Sequence, residues 1–242
     1  RAAWAKRLRR LRRALVPHRP KAFRDSLNRW LLMGTVIGIV SGIGAIIFFF
    51  CLETGTHYLL ETLGGYTPPG TLGEGDGNPG TGLTRPWAIP LVVTGGALVS
   101  SILVYFVAPT AKGHGTDNAI HAVHHDPTAL KGKVAAVKII ASSLMIGSGG
   151  SGGREGPTAQ ISATVISSLC KKLKIATPDA RIAVSAATAS GIGAIFRAPL
   201  GGALLGAELL YRDDMESDAI MPSLVSSIVA FVVFGSVYGF EP

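Results

Sequence analysis

Gly147-Ser148-Gly149-Gly150-Ser151-Gly152-Gly153-Arg154-Glu155-Gly156-Pro157-Thr158-Ala159-Gln160 joins an apolar segment ending at Ile146 to another beginning at Ile161. Five of the first seven residues are glycine, so the backbone can enter left-handed conformations and approach an ion with no Cβ in the way. Pro157 stands where a first-turn proline belongs, because its missing N–H is an orphan donor in any case. A helix therefore starts near Glu155. Its free N–H groups and positive dipole end face the glycine loop, the arrangement in which helix N-termini capture anions. Glu155 brings a carboxylate into the same mouth, where it competes for the site as a tethered anion.

Two other readings of the stretch are weaker. A plain connection between helices does not account for a loop at membrane depth, which is tolerated only where it lines a cavity or is buried in protein. A nucleotide phosphate cradle needs a Gly-Lys-Ser/Thr ending and a preceding strand, and this stretch has neither.

Membrane depth follows from composition. Of 242 residues, 48% are apolar and 16% charged, with a mean hydropathy of +0.39, whereas soluble domains carry about 25% charged residues. The net charge of +8 does not mark a nucleic-acid binder, because its basic residues are concentrated at one end. Between Arg1 and Arg29 stand eleven Lys and Arg against one acid, Asp25. Residues 1–29 thus form a basic arm that predicts a cytoplasmic N-terminus and contact with anionic lipid. Within it Trp4, Leu8, Leu11 and Leu15 recur at helical spacing, as in a helix lying on the membrane surface. No cleavage site of a signal peptide follows the first apolar run. Cys51 and Cys170 lie at ends of apolar helices and imply no disulfide framework.

The transmembrane region, residues 30–242, opens with a span over 30–52, on which Gly34, Gly38 and Gly42 form a small-residue face for a packing partner. A polar loop over 64–86 precedes a second span, 87–107, with Gly95-Gly96 at its centre. Gly113-His114-Gly115-Thr116-Asp117-Asn118 is a second loop-to-helix turn with a Thr/Asp capping position, on the cytoplasmic side by the parity of two spans. Residues 126–138 read as a charged cytoplasmic connection containing Lys131, Lys133 and Lys138. The apolar segments 134–146 and 158–169 are both short and meet at the glycine loop, the sign of discontinuous helices around a mid-membrane ion site. Residues 179–195 carry small residues at nearly every turn and are expected among other helices. Phe196-Arg197-Ala198-Pro199 breaks the chain before a short helix over 200–210, an acidic connector over 211–218 and a last span over 221–240. His121, His124 and His125 with Asp117 are read as a solvated helix end, so no metal is assigned. No soluble-enzyme triad or nucleotide motif is present, and neither enzyme activity nor a cofactor is assigned.

The runs GHGTDNAI (113–120), GSGGSGGREGPTAQI (147–161) and GIGAIFRAPLGGALLGAELLYRDD (191–214), in this order, resemble the family of chloride channels and chloride/proton antiporters, the CLC family. The resemblance covers roughly 30–240. It implies an all-α polytopic membrane protein whose first inverted repeat directs tilted, discontinuous helix N-termini at a mid-membrane anion site. It further implies a homodimer in the plasma membrane that moves chloride. By resemblance Glu155 matches the gating glutamate, and Arg154, Gly156 and Pro157 match its neighbours. His114, with Gly115, stands where many members have a chloride-coordinating serine; an imidazole N–H can also donate to an anion, and a histidine satisfied by local backbone is the competing reading. Where proton-coupled members carry an internal acid, this chain has Leu209. That departure favours a voltage-gated-type channel, or an antiporter with another internal proton route. Glu208 is a candidate for that route, or a structural acid paired with Arg197 or Arg212. The family's second-half Gly-x-Phe-x-Pro loop and pore tyrosine are not found, so the chain reads as the first half of a pore and as part of a longer protein. Assembly from two oppositely inserted copies conflicts with the N-terminal arginines, which an inverted copy would have to translocate. A non-conducting structural half-subunit is the reading from a different class.

Overall fold

The computed structural model describes residues 20–69, 80, 82–208 and 217–240, with side chains described from Asn28 onward and not at Ser217. The basic arm before Pro20, most of the polar loop, Leu209, Arg212 and the acidic connector lie outside the described residues. The described residues contain helices and no strand: α1 (Pro20–Thr56), which runs on as a π-helical segment His57–Leu63, α2 (Ala88–Val107), a 3-10 turn at Pro109–Ala111, α3 (Thr116–His124), α4 (Gly132–Gly147), α5 (Glu155–Leu173), α6 (Thr177–Ile195), α7 (Pro199–Glu208) and α8 (Ser217–Tyr238).

Three stretches, Asn28–Leu63, Ala88–Val107 and Asp218–Tyr238, are long and apolar enough to cross a membrane. The first is a 36-residue helical stretch, roughly 54 Å at about 1.5 Å per residue, so a hydrocarbon core of about 30 Å requires it to tilt. α2 buries 11% of its most apolar window against 39% for the other two, which makes it the least covered of the three by the described residues. α5 and α6 form the interior. α6 is buried from Ile182 to Ile195 without interruption, as its run of alanines, glycines and serines predicts, because small side chains let helices approach on all sides.

The small-residue face of α1 has a definite partner. Methyl groups added at Gly38 would fall 2.5 Å from the Ser226 carbonyl oxygen and 2.7 Å from Val229 Cβ of α8, and at Gly42 2.8 Å from Val233 Cβ. Lipid tails are as apolar as leucine, so close van der Waals packing of this kind, rather than escape from water, holds the two helices together. Arg29 on α1 pairs with Asp179 at the start of α6, tying those ends together on one side of the bundle.

Several element boundaries differ from expectation. α5 extends through Lys171 and Lys172 and ends only at Lys174, which takes a left-handed conformation (φ 52°); the lysines sit at the C-terminal dipole, where cations are favourable. α3 is capped by Gly115 (φ 110°) with no side-chain cap bond, in place of the expected Thr/Asp cap. Lys138 is not part of a charged connection: it lies within α4 and is 4% exposed.

Gly38→Ala is expected to lower stability by about 1–3 kcal/mol, the usual cost of overpacking. Gly95→Ala, where an added methyl meets nothing within 4 Å, is expected to leave it unchanged or slightly raised. Thermal unfolding of the two variants in detergent checks the contrast, and equal midpoints would refute the packing assignment.

Candidate anion site

The glycine loop forms as the chain leaves α4. The amides of Ser148, Gly149 and Gly150 bond back to the carbonyls of Leu144, Ile146 and Met145, and Gly149 takes φ 95°, a conformation that glycine adopts without penalty. The chain is then free to turn at Ser151 to Gly153 and enter α5. Arg154 occupies the N-cap position with no side-chain cap bond, so the first amides of α5 are not closed off by their own cap. A methyl on Gly153 would collide with both carboxylate oxygens of Glu155. The Glu155 carboxylate is therefore folded back over the glycine loop, at the positive end of its own helix.

The second loop closes on this mouth. A methyl on Gly156 would collide with the His114 carbonyl oxygen and Nδ1, and one on Gly115 with the Gln160 side chain and the Gly156 carbonyl. Both positions thus require the absence of a side chain for the N-termini of α3 and α5 to meet. His114 Nε2 lies 3.7 Å from Glu155 Oε1, and His114 Nδ1 is 3.2 Å from the Thr116 hydroxyl. His114, Gly115, Glu155 and Gly156, four of the residues singled out in the sequence, stand together. Beside them a cavity of about 740 Å³ opens between α2, α4 and the two loops, with Tyr105, Lys112, His114, Lys138, Ser151 and Pro157 in its lining.

The other two candidates stand elsewhere. The Arg154 guanidinium lies over the Phe49 ring of α1, 5.5 Å from its centroid, a cation–π contact that anchors the N-cap to the aromatic group of Phe49, Phe234 and Tyr238. Glu208 is exposed at the end of α7, a helix packed on α6 and α8. Arg197, its expected partner, donates to the Tyr238 carbonyl at 3.0 Å. On α3, the His121 and His125 rings stack at 4.1 Å.

Two residues that sequence reasoning passed over hold the His114 loop in place. The Lys138 ammonium donates to the Gly113 carbonyl at 2.7 Å and to the Ala111 carbonyl at 3.1 Å. Gln160 Nε2 donates to the Thr110 carbonyl at 3.1 Å, which also accepts from Asn118 Nδ2 at 3.0 Å. Irregular backbone at membrane depth needs such donors. The available signal was a lone cation inside the apolar run Val137-Lys138-Ile139, since an intramembrane charge is functional by default.

A profile of the voltage gated chloride channel family matches residues 96–242, more than half of the chain. The chain belongs to the voltage-gated chloride channel (CLC) family. Among similar CLC relatives, the "Chloride/fluoride channel protein" of Pseudomonas syringae pv. tomato is 24% identical over 204 residues, covering 84% of this chain and 40% of that protein. The "H(+)/Cl(-) exchange transporter ClcA" of Vibrio campbellii is 25% identical over 253 residues, covering 96% of this chain and 49% of that protein. The solved structure of a slow cyanobacterial Cl⁻/H⁺ antiporter matches with a TM-score of 0.64 at 21% identity, over 86% of this chain and 47% of that one, a likeness of fold. The chain spans about half the length of the curated relatives it matches.

Lys138→Met leaves the Gly113 and Ala111 carbonyls without their donor, at about 1–3 kcal/mol each if they stay dry, while removing the desolvation cost of a buried ammonium. The two effects offset globally but not locally. Melting is therefore expected to change little, while hydrogen exchange in residues 110–118 accelerates by about tenfold for each 1.4 kcal/mol of local stability lost. Unchanged exchange in that loop would show that Lys138 does not hold it.

Proposed function

We propose that residues 30–242 form the first half of a chloride pathway across the plasma membrane, with Glu155 as its gate and residues 1–29 as a cytoplasmic basic arm on anionic lipid. The observation that carries this reading is the carboxylate of Glu155 folded into the mouth of its own helix, over Gly153. A tethered anion and a mobile anion compete there for the same amides and the same dipole field. When the carboxylate holds the mouth, chloride is excluded. When chloride displaces it, or a proton neutralises it, the mouth is open. Gly156, Gly115 and His114 complete the rim, with the imidazole N–H as an anion donor, and the Arg154 guanidinium supports the N-cap from the side. By analogy with its family the protein works as a homodimer.

Leu209 at the usual internal acid position favours a channel. The contact of His114 with Glu155 at 3.7 Å favours a second reading, chloride/proton exchange by a route that does not use residue 209. Chloride efflux from liposomes containing the intact protein tests the common part. Glu155→Gln, isosteric but uncharged, is expected to abolish the pH dependence of efflux and to change its rate several-fold. Efflux and pH dependence equal to wild type would refute the gate, and no efflux from wild type would support a non-conducting subunit instead.

A further inference from the structure

We infer that His114 is the proton relay to Glu155, so that the imidazole at the mouth of the site replaces an internal acid; this rests on the reading of Glu155 as gate and on the second reading above, chloride/proton exchange. Both ring nitrogens are engaged by groups that can exchange protons. Nε2 faces the Glu155 carboxylate at 3.7 Å, and Nδ1 faces the Thr116 hydroxyl at 3.2 Å. The first distance exceeds a hydrogen bond, and a small side-chain rotation or one bridging water closes it. The imidazole is half exposed and lines the cavity, so water can reach it to recharge the ring.

The transfer is balanced. A proton leaves Nε2, the N–H bonding pair stays on nitrogen as a lone pair, and Glu155 Oε1 gains an O–H bond. Imidazolium and carboxylate become imidazole and carboxylic acid without change of total charge. The neutral acid no longer competes as an anion for the helix mouth, which couples arrival of the proton to admission of chloride. Four other charged groups lie around the pair. From α4, the Lys138 ammonium is bonded to the Gly113 carbonyl, next to His114; Lys112 lines the same cavity; Asp117 lies in the first turn of α3; the Arg154 guanidinium is turned onto Phe49.

A histidine that only binds chloride would alter anion affinity and leave the ratio of protons to chloride untouched. The test is simultaneous recording of chloride efflux and internal pH with the intact protein in liposomes under a chloride gradient. Proton movement coupled to chloride is expected in wild type. His114→Gln is expected to lower the proton-to-chloride ratio by about a hundredfold, the scale of a lost general acid–base group, and to flatten the pH profile of chloride efflux between about pH 5 and 8. Thr116→Val keeps the imidazole but removes its hydroxyl partner, and is expected to lower the ratio several-fold, with Thr116→Ser restoring it. The Thr116 pair decides the matter if His114→Gln does not fold, as judged by its elution in detergent. A wild-type ratio and pH profile in His114→Gln, with Glu155→Gln still altering efflux, overturns the relay and leaves the gate standing. So does a wild type that moves no protons and has a flat pH profile. If Glu155→Gln matches wild type throughout, the gate itself fails and the relay with it.

Discussion

Everything at the site depends on one close approach of backbone to backbone, Gly156 at the start of α5 against His114 in the loop before α3. Neither strand of that contact has room for a methyl group at Gly156 or at Gly115. The reason is electrostatic as much as steric. Two helix N-termini, each with unpaired amides, repel one another unless an anion lies between them, and here the Glu155 carboxylate lies beside that junction. Glycine allows the two ends to come close enough for His114 Nε2 to stand 3.7 Å from Glu155 Oε1.

That arrangement creates a second demand. Loops at membrane depth expose carbonyl oxygens that no lipid can satisfy, and the His114 loop exposes three, at Thr110, Ala111 and Gly113. Their donors come from the flanking helices: Lys138 from α4 and Gln160 from α5. The buried ammonium is therefore a structural donor set against carbonyl dipoles.

Outside the site, the helices are arranged by shape rather than by hydrophobicity. α1 and α8 cross where Gly34, Gly38 and Gly42 receive Val225, Val229 and Val233, α6 is enclosed because most of its buried run is small residues, and α2 is the least covered of the three spans found among the described residues. The site sits where α4, 16 residues long, and the largely buried α5 are supported by this frame. A solved CLC antiporter structure shares this fold at 21% identity.

Much of this was legible in the sequence. Helix starts at Glu155 and near Thr116 follow from Gly and Pro chemistry, the glycine face of α1 from its four-residue spacing, and the buried character of α6 from its small residues, because each is a local property of the chain. Lys138 and Gln160 were not legible as clamps. Their partners lie 25 and 50 residues away in the chain, and a lysine read by position alone counts as a loop charge. Nor could the order of residues show that the Arg154 guanidinium turns to Phe49 while His114 turns to Glu155. The sequence by itself determined which segments are helical, which are apolar and where backbone amides are left free. Only the tertiary structure decided which side chains meet in that space, because those contacts depend on the crossing of helices far apart in the chain.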